Sequence, residues 1–127
     1  MNITGITWHS VTLDTDAFAA TKKLYTDTIG LTPIMQFDGI AVFQFPDGTL
    51  LELYTPHTVP DFGYNGAIAF GFRVDDVAAA SAELAAAGCE LLGEINRVVE
   101  SDYAYRHFRG PDGRVYGLNE SKPQPRA

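Results

Sequence analysis

Apolar and polar positions alternate with a period of two through ITWHSVTLDT near the N-terminus and again through AIAFGFRVDD past the middle of the chain. That is the pattern of a half-buried strand. Each stretch gives way to a helical period. Ala17, Ala20 and Leu24 fall at i, i+3, i+7, as do Val77, Ala80 and Leu84, so each segment predicts a helix with one apolar face. Asp16 and Asp76 stand at the two strand-to-helix boundaries, where a carboxylate accepts free N–H groups of the first turn. Gly30 and Gly88 supply the helix stops. After each helix come short strand-like runs closed by one turn: Phe-Pro-Asp-Gly at 45–48 before TLLELY, and Gly-Pro-Asp-Gly at 110–113 before RVYGLN. Proline presets φ, aspartate tolerates the turn and glycine takes positive φ, so both predict hairpins.

The chain therefore reads as one plan used twice. A β-α-β-β-β unit at 4–55 is followed by a linker at 56–66, a second unit at 67–120 and a solvated tail at 121–127. One such unit cannot bury both its sheet face and its helix, so residues 1–127 are expected to form a single α+β domain.

Composition narrows the function. Among 127 residues, 46% are hydrophobic and 20% charged, ordinary values for a globular domain. The net charge of −7, with scattered basic residues, argues against nucleic acid and against anionic membrane surfaces. No run approaches the ~20 apolar residues of a membrane span. No basic-then-apolar leader opens the chain, and the lone Cys89 has no internal partner, so a reducing cytoplasm is the expected compartment. Cys89 lacks a local positive charge and reads as an inert thiol.

His9 in WHSVTL, the helix ending in YTDTIGL, and the two Pro-Asp-Gly hairpins in this order make the chain resemble the vicinal oxygen chelate superfamily, which includes glyoxalase I, extradiol dioxygenases and bleomycin-resistance binding proteins. The resemblance implies two tandem β-α-β-β-β units forming a curved mixed sheet around a cavity, and a metal site drawing up to four ligands from the first and last strand of each unit. Carried onto this sequence, those positions are His9, Glu52, Ala69 and Gly117. Alanine and glycine have no donor, and two ligands hold a divalent ion weakly. By analogy with the ring-cleaving members, His107 also faces the cavity, so any metal set would be His9, Glu52 and His107.

Fixing the alternation on His9 and Glu52 lists the expected cavity wall: His9, Val11, Leu13, Leu50, Glu52, Tyr54, Gly71, Arg73, Tyr103, Tyr105, His107, Val115 and Asn119. Glu52 inside LLELY needs a partner, and His9 or Arg73 is the expected one. The expected function is binding of an apolar or aromatic small molecule without a complete metal site or other cofactor. The alternative is a metal-dependent lyase, isomerase or dioxygenase with a rearranged ligand set. A homodimer is implied by the resemblance alone.

Overall fold

The structure is a computed structural model that describes residues 1–99 and 101–121; the tail from 122 onward lies outside the described residues. Among the described residues, eight strands and two α-helices form a mixed α+β fold. In chain order these are β1 (Ile3–Thr12), α1 (Thr15–Lys23), β2 (Pro33–Phe37), β3 (Ile40–Gln44), β4 (Leu50–Tyr54), β5 (Ile68–Val74), α2 (Val77–Ala86), β6 (Glu90–Arg97), β7 (Ala104–Arg109) and β8 (Val115–Glu120). The described residues divide into two compact units, one of residues 7–70 and one of residues 1–6 with those from 71 onward. No helix among the described residues is long and apolar enough to cross a membrane.

In the 7–70 unit the strand order is β2-β3-β4-β1. β1 and β4 are parallel with Trp8, Ser10 and Thr12 opposite Leu50, Glu52 and Tyr54, while β3 and β4 form an antiparallel hairpin. The turn between them works as its residues require. Gly48 has φ 87°, its N–H donates to the Phe45 carbonyl, and Asp47 Oδ1 accepts from the Thr49 N–H. Phe18 of α1 packs on Ala41, Phe43 and Leu53, with Val11, Leu13, Tyr25 and Leu51 around them. Burying side chains such as Phe43 and Leu53 stabilises by about 1.5–3 kcal/mol each.

The other unit repeats the plan in the order β5-β8-β7-β6. β5 and β8 are parallel, with Gly71 opposite Gly117 and Arg73 opposite Asn119, and β7 and β8 form the second hairpin. Its turn uses the same chemistry: Gly113 at φ 80° donates to the Gly110 carbonyl, and Asp112 Oδ1 accepts from the Arg114 N–H. Val77 and Ala80 of α2 pack with Val74, Phe108 and Leu118, and Leu84 joins them, which is the helix face read from the periodicity.

The first helix differs from the expected one. Its N-cap is Asp14, whose Oδ1 accepts from the Ala17 N–H; Asp16 lies exposed within the first turn. The buried side is accordingly Phe18 with Tyr25, and Leu24 is 48% exposed. A π-helical turn, Leu24–Ile29, follows and ends at Gly30 with φ 86°. In α2 the cap is Asp76 as expected, accepting from the Ala79 N–H.

Candidate functional site

In a strand, successive side chains point to opposite faces. On β4, Leu50, Glu52 and Tyr54 therefore share one face, and Leu51 and Leu53 share the other, where α1 packs. The register of β1 against β4 puts Trp8, Ser10 and Thr12 beside Leu50, Glu52 and Tyr54. His9 pairs with Leu51, and Val11 packs with the α1 cluster.

This corrects the expected wall. His9, Val11 and Leu13 alternate away from Glu52, so His9 is neither the partner of its carboxylate nor a co-ligand for a metal. The His9 ring instead sits half-buried with Nδ1 3.3 Å from the Leu50 carbonyl oxygen, in reach of a donated hydrogen bond. The physical reason is the strand register. In the parallel pairing Ser10, not His9, stands opposite Glu52, and a one-residue change of register moves every side chain to the opposite face.

The partners of Glu52 are Trp8 and Tyr54. The indole Nε1–H and the Tyr54 hydroxyl each donate to Glu52 Oε1 at 2.7 Å. Tyr64 closes over this pair. It is 6% exposed and meets the Trp8 ring at 5.1 Å and the Tyr54 ring at 5.6 Å, both edge-on. Phe62 adds a further edge contact to Tyr64 at 6.2 Å. The stretch expected to be only a linker thus carries two of the aromatic rings around Glu52. Burial pushes the Glu52 carboxyl above its ordinary value, against the two donors that pull it down.

Trp8 and Tyr64 escaped the sequence reading, though one signal pointed to the first. A buried indole N–H seeks an acceptor, and Glu52 was the one carboxylate in an apolar strand. Nothing in PHTVPDFGYNG marked Tyr64 for burial.

In the other unit, Tyr105 and His107 alternate onto one face of β7, and Tyr103 stands immediately before the strand. Tyr105 pairs with Asn119 and His107 with Gly117. Asn119 Nδ2 donates to the Tyr103 hydroxyl at 3.3 Å, and the Tyr105 and His107 rings meet edge-on at 5.8 Å. His107 is 8% exposed, and burial lowers its pKa to about 4, so the imidazole is neutral at physiological pH. Arg73 lies opposite Asn119 on β5. Gly71 and Gly117 approach closely: a Cβ on Gly71 would stand 2.7 Å from the Gly117 carbonyl oxygen.

The fold family implies a divalent metal, and the donors present do not fit one. Structural and catalytic Zn²⁺ sites take three or four protein ligands. Among the described residues no three His, Cys, Asp or Glu side chains gather. Glu52 Oε1 already accepts two hydrogen bonds, His9 faces away from it, and Gly71 and Gly117 stand where Ser10 and Glu52 stand in the other unit. What the arrangement offers is aromatic surface with a few fixed polar anchors, the make-up of an organic-ligand site.

Comparison with known proteins agrees with the architecture. Among solved structures, a Mn(II)-bound glyoxalase from Novosphingobium aromaticivorans superposes with a TM-score of 0.71 at 20% identity, over 98% of this chain and 42% of that one. A methylmalonyl-CoA epimerase from Streptomyces coelicolor, in complex with 2-nitronate-propionyl-CoA, gives 0.66 at 20% identity, over 96% of this chain and 100% of that one. A glyoxalase/bleomycin resistance protein/dioxygenase superfamily member from Vibrio splendidus 12B01 gives 0.61 at 14% identity, over 94% and 100%. At these identities the likeness is one of fold. No curated protein matches the chain. The sequence model of one family covers residues 7–115, and by that match the chain belongs to the Glyoxalase/Bleomycin resistance protein/Dioxygenase superfamily.

Proposed function

We propose that this protein is a small-molecule binding protein of the glyoxalase/bleomycin-resistance type, holding an apolar or aromatic ligand against its sheet without a complete metal site. The observation that carries this reading is the state of Glu52. Its Oε1 is committed to Trp8 and Tyr54, inside a wall of aromatic rings. A carboxylate so engaged acts as an anchor for hydrogen bonds rather than as an open metal donor. Leu50 and Tyr54 on β4 join Glu52 as proposed ligand-binding residues of the 7–70 unit, and Arg73, Tyr103, Tyr105 and His107 are, each by itself, proposed ligand-binding residues of the other unit. Aromatic faces stack on planar ligands, and Arg73 offers a cation to a π-rich group. The protein is proposed to work as a homodimer in the cytoplasm, where Cys89 stays reduced.

A metal-dependent lyase, isomerase or dioxygenase is the second reading, favoured by the likeness in fold to the Mn(II)-bound glyoxalase. Titration calorimetry with Ni²⁺, Zn²⁺, Mn²⁺ and Fe²⁺, with metal analysis of the purified protein, separates the two. The binding-protein reading expects no stoichiometric metal and no affinity tighter than about millimolar, alongside binding of aromatic compounds. Stoichiometric metal that is lost in Glu52→Gln would overturn it and establish the second reading.

A further inference from the structure

The face of β1 beside Glu52 carries hydroxyl groups with nothing to bond. Ser10 is fully buried, and its Oγ has no hydrogen-bond partner. Thr12 Oγ1, two residues along on the same face, is buried and unpartnered as well. Ser10 lies opposite Glu52 and Thr12 opposite Tyr54 in the parallel register, about one strand spacing, ~4.8 Å, away. Both hydrogen bonds to the Glu52 carboxyl fall on Oε1, so among the described residues Oε2 receives none. Buried hydroxyls have partners in the large majority of proteins, and one without a partner carries its full desolvation penalty. Apolar packing favours alanine and valine at such positions. Serine and threonine there, lined up beside a half-engaged carboxyl, point to a ligand group.

We infer that Ser10 Oγ, Thr12 Oγ1 and Glu52 Oε2 form a hydrogen-bonding subsite for a neutral group that both donates and accepts, a carboxamide or hydroxyl on an aromatic ligand. This rests on the small-molecule reading above and names the ligand chemistry of that site. The ligand's N–H or O–H donates to Oε2, and its oxygen accepts from the two hydroxyls. A hydrocarbon leaves all three atoms unsatisfied. An anionic carboxylate brings a second negative charge beside a carboxyl that burial already keeps from ionising easily. Trp8 and Tyr54, by holding Oε1, turn Oε2 into the single free face of the anchor.

The test is a ¹⁹F NMR titration of the full chain with 4-fluorobenzamide, 4-fluorobenzoate and 4-fluorotoluene, repeated on Ser10→Ala and on Ser10→Ala/Thr12→Val. The amide is expected to bind about tenfold tighter than the toluene, and the benzoate weakest. The double variant is expected to lower amide affinity about tenfold while leaving the toluene unchanged. Both substitutions remove unbonded hydroxyls, so the variants are expected to keep the parent's near-ultraviolet circular dichroism; Ser10→Ala alone gives the same readout with a smaller loss. Equal affinity for amide and toluene, or an amide preference that survives the double variant, would overturn the subsite and leave the small-molecule reading standing. Failure of all three probes to bind at millimolar concentration would overturn that reading, and the subsite with it.

Discussion

At the scale of single residues, Glu52 and His107 are titratable groups that the fold forces away from their ordinary behaviour, in opposite senses. The folded pKa of His107 is lowered from 6.5 to about 4 by burial. The unfolded chain therefore takes up the proton first, and the stability His107 contributes is present above pH 6.5 and lost as pH falls toward 4. The loss is on the order of 3 kcal/mol, and urea unfolding at stepped pH should show it as a slope that His107→Gln removes. Glu52 is raised, so its contribution is full below its ordinary value of 4.5 and is lost as pH rises through the folded pKa. Glu52→Gln keeps an acceptor for Trp8 and Tyr54, and its stability relative to the parent should climb with pH over that range. Trp8→Phe removes one donor from a buried carboxyl and is expected to cost about 1–3 kcal/mol in urea unfolding at neutral pH. Glu52 was legible in the sequence because a carboxylate within LLELY has no apolar explanation. Its partners were not, because they depend on which side of β1 faces it.

That dependence belongs to the elements. The hairpins, α2 and its apolar face were all readable, since Pro-Asp-Gly and the spacing of Val77, Ala80 and Leu84 encode local geometry directly. β1 was misphased because its alternation was anchored on His9, which the family resemblance placed beside Glu52; the register puts Ser10 there instead, with Trp8 and Thr12 on the same face. α1 was misphased because two aspartates, Asp14 and Asp16, compete for one cap, and residue type alone does not choose between them. The structure assigns the role to Asp14. Asp14→Ala should therefore destabilise by about 1 kcal/mol in thermal or urea unfolding, as should Asp76→Ala, while Asp16→Ala should change little. A large loss at Asp16 and none at Asp14 would overturn the assignment of the cap to Asp14.

For the molecule as a whole, two copies of one backbone plan carry unlike chemistry. One unit keeps a carboxyl held by two donors; the other has glycine at the corresponding register and places its polar groups on β7 and β8. Its outermost strands differ too. β2, at one end of the strand order, exposes Ile34, Met35 and Phe37, the last by 62%. An exposed apolar edge of that kind templates aggregation, so Phe37→Lys should raise the concentration at which light scattering appears during refolding, with stability unchanged within about 0.5 kcal/mol. The contact of Gly71 with the Gly117 backbone reaches further than packing. Gly71→Ala must push β5 from β8 and is expected to destabilise by about 1–3 kcal/mol. Every larger residue at 71 meets the same obstruction, whatever atoms it bears at its tip. The route by which a single mutation would install an imidazole or carboxylate there is therefore closed by the main chain. Mutational drift or laboratory evolution toward a metal centre would have to rebuild the neighbouring strand first.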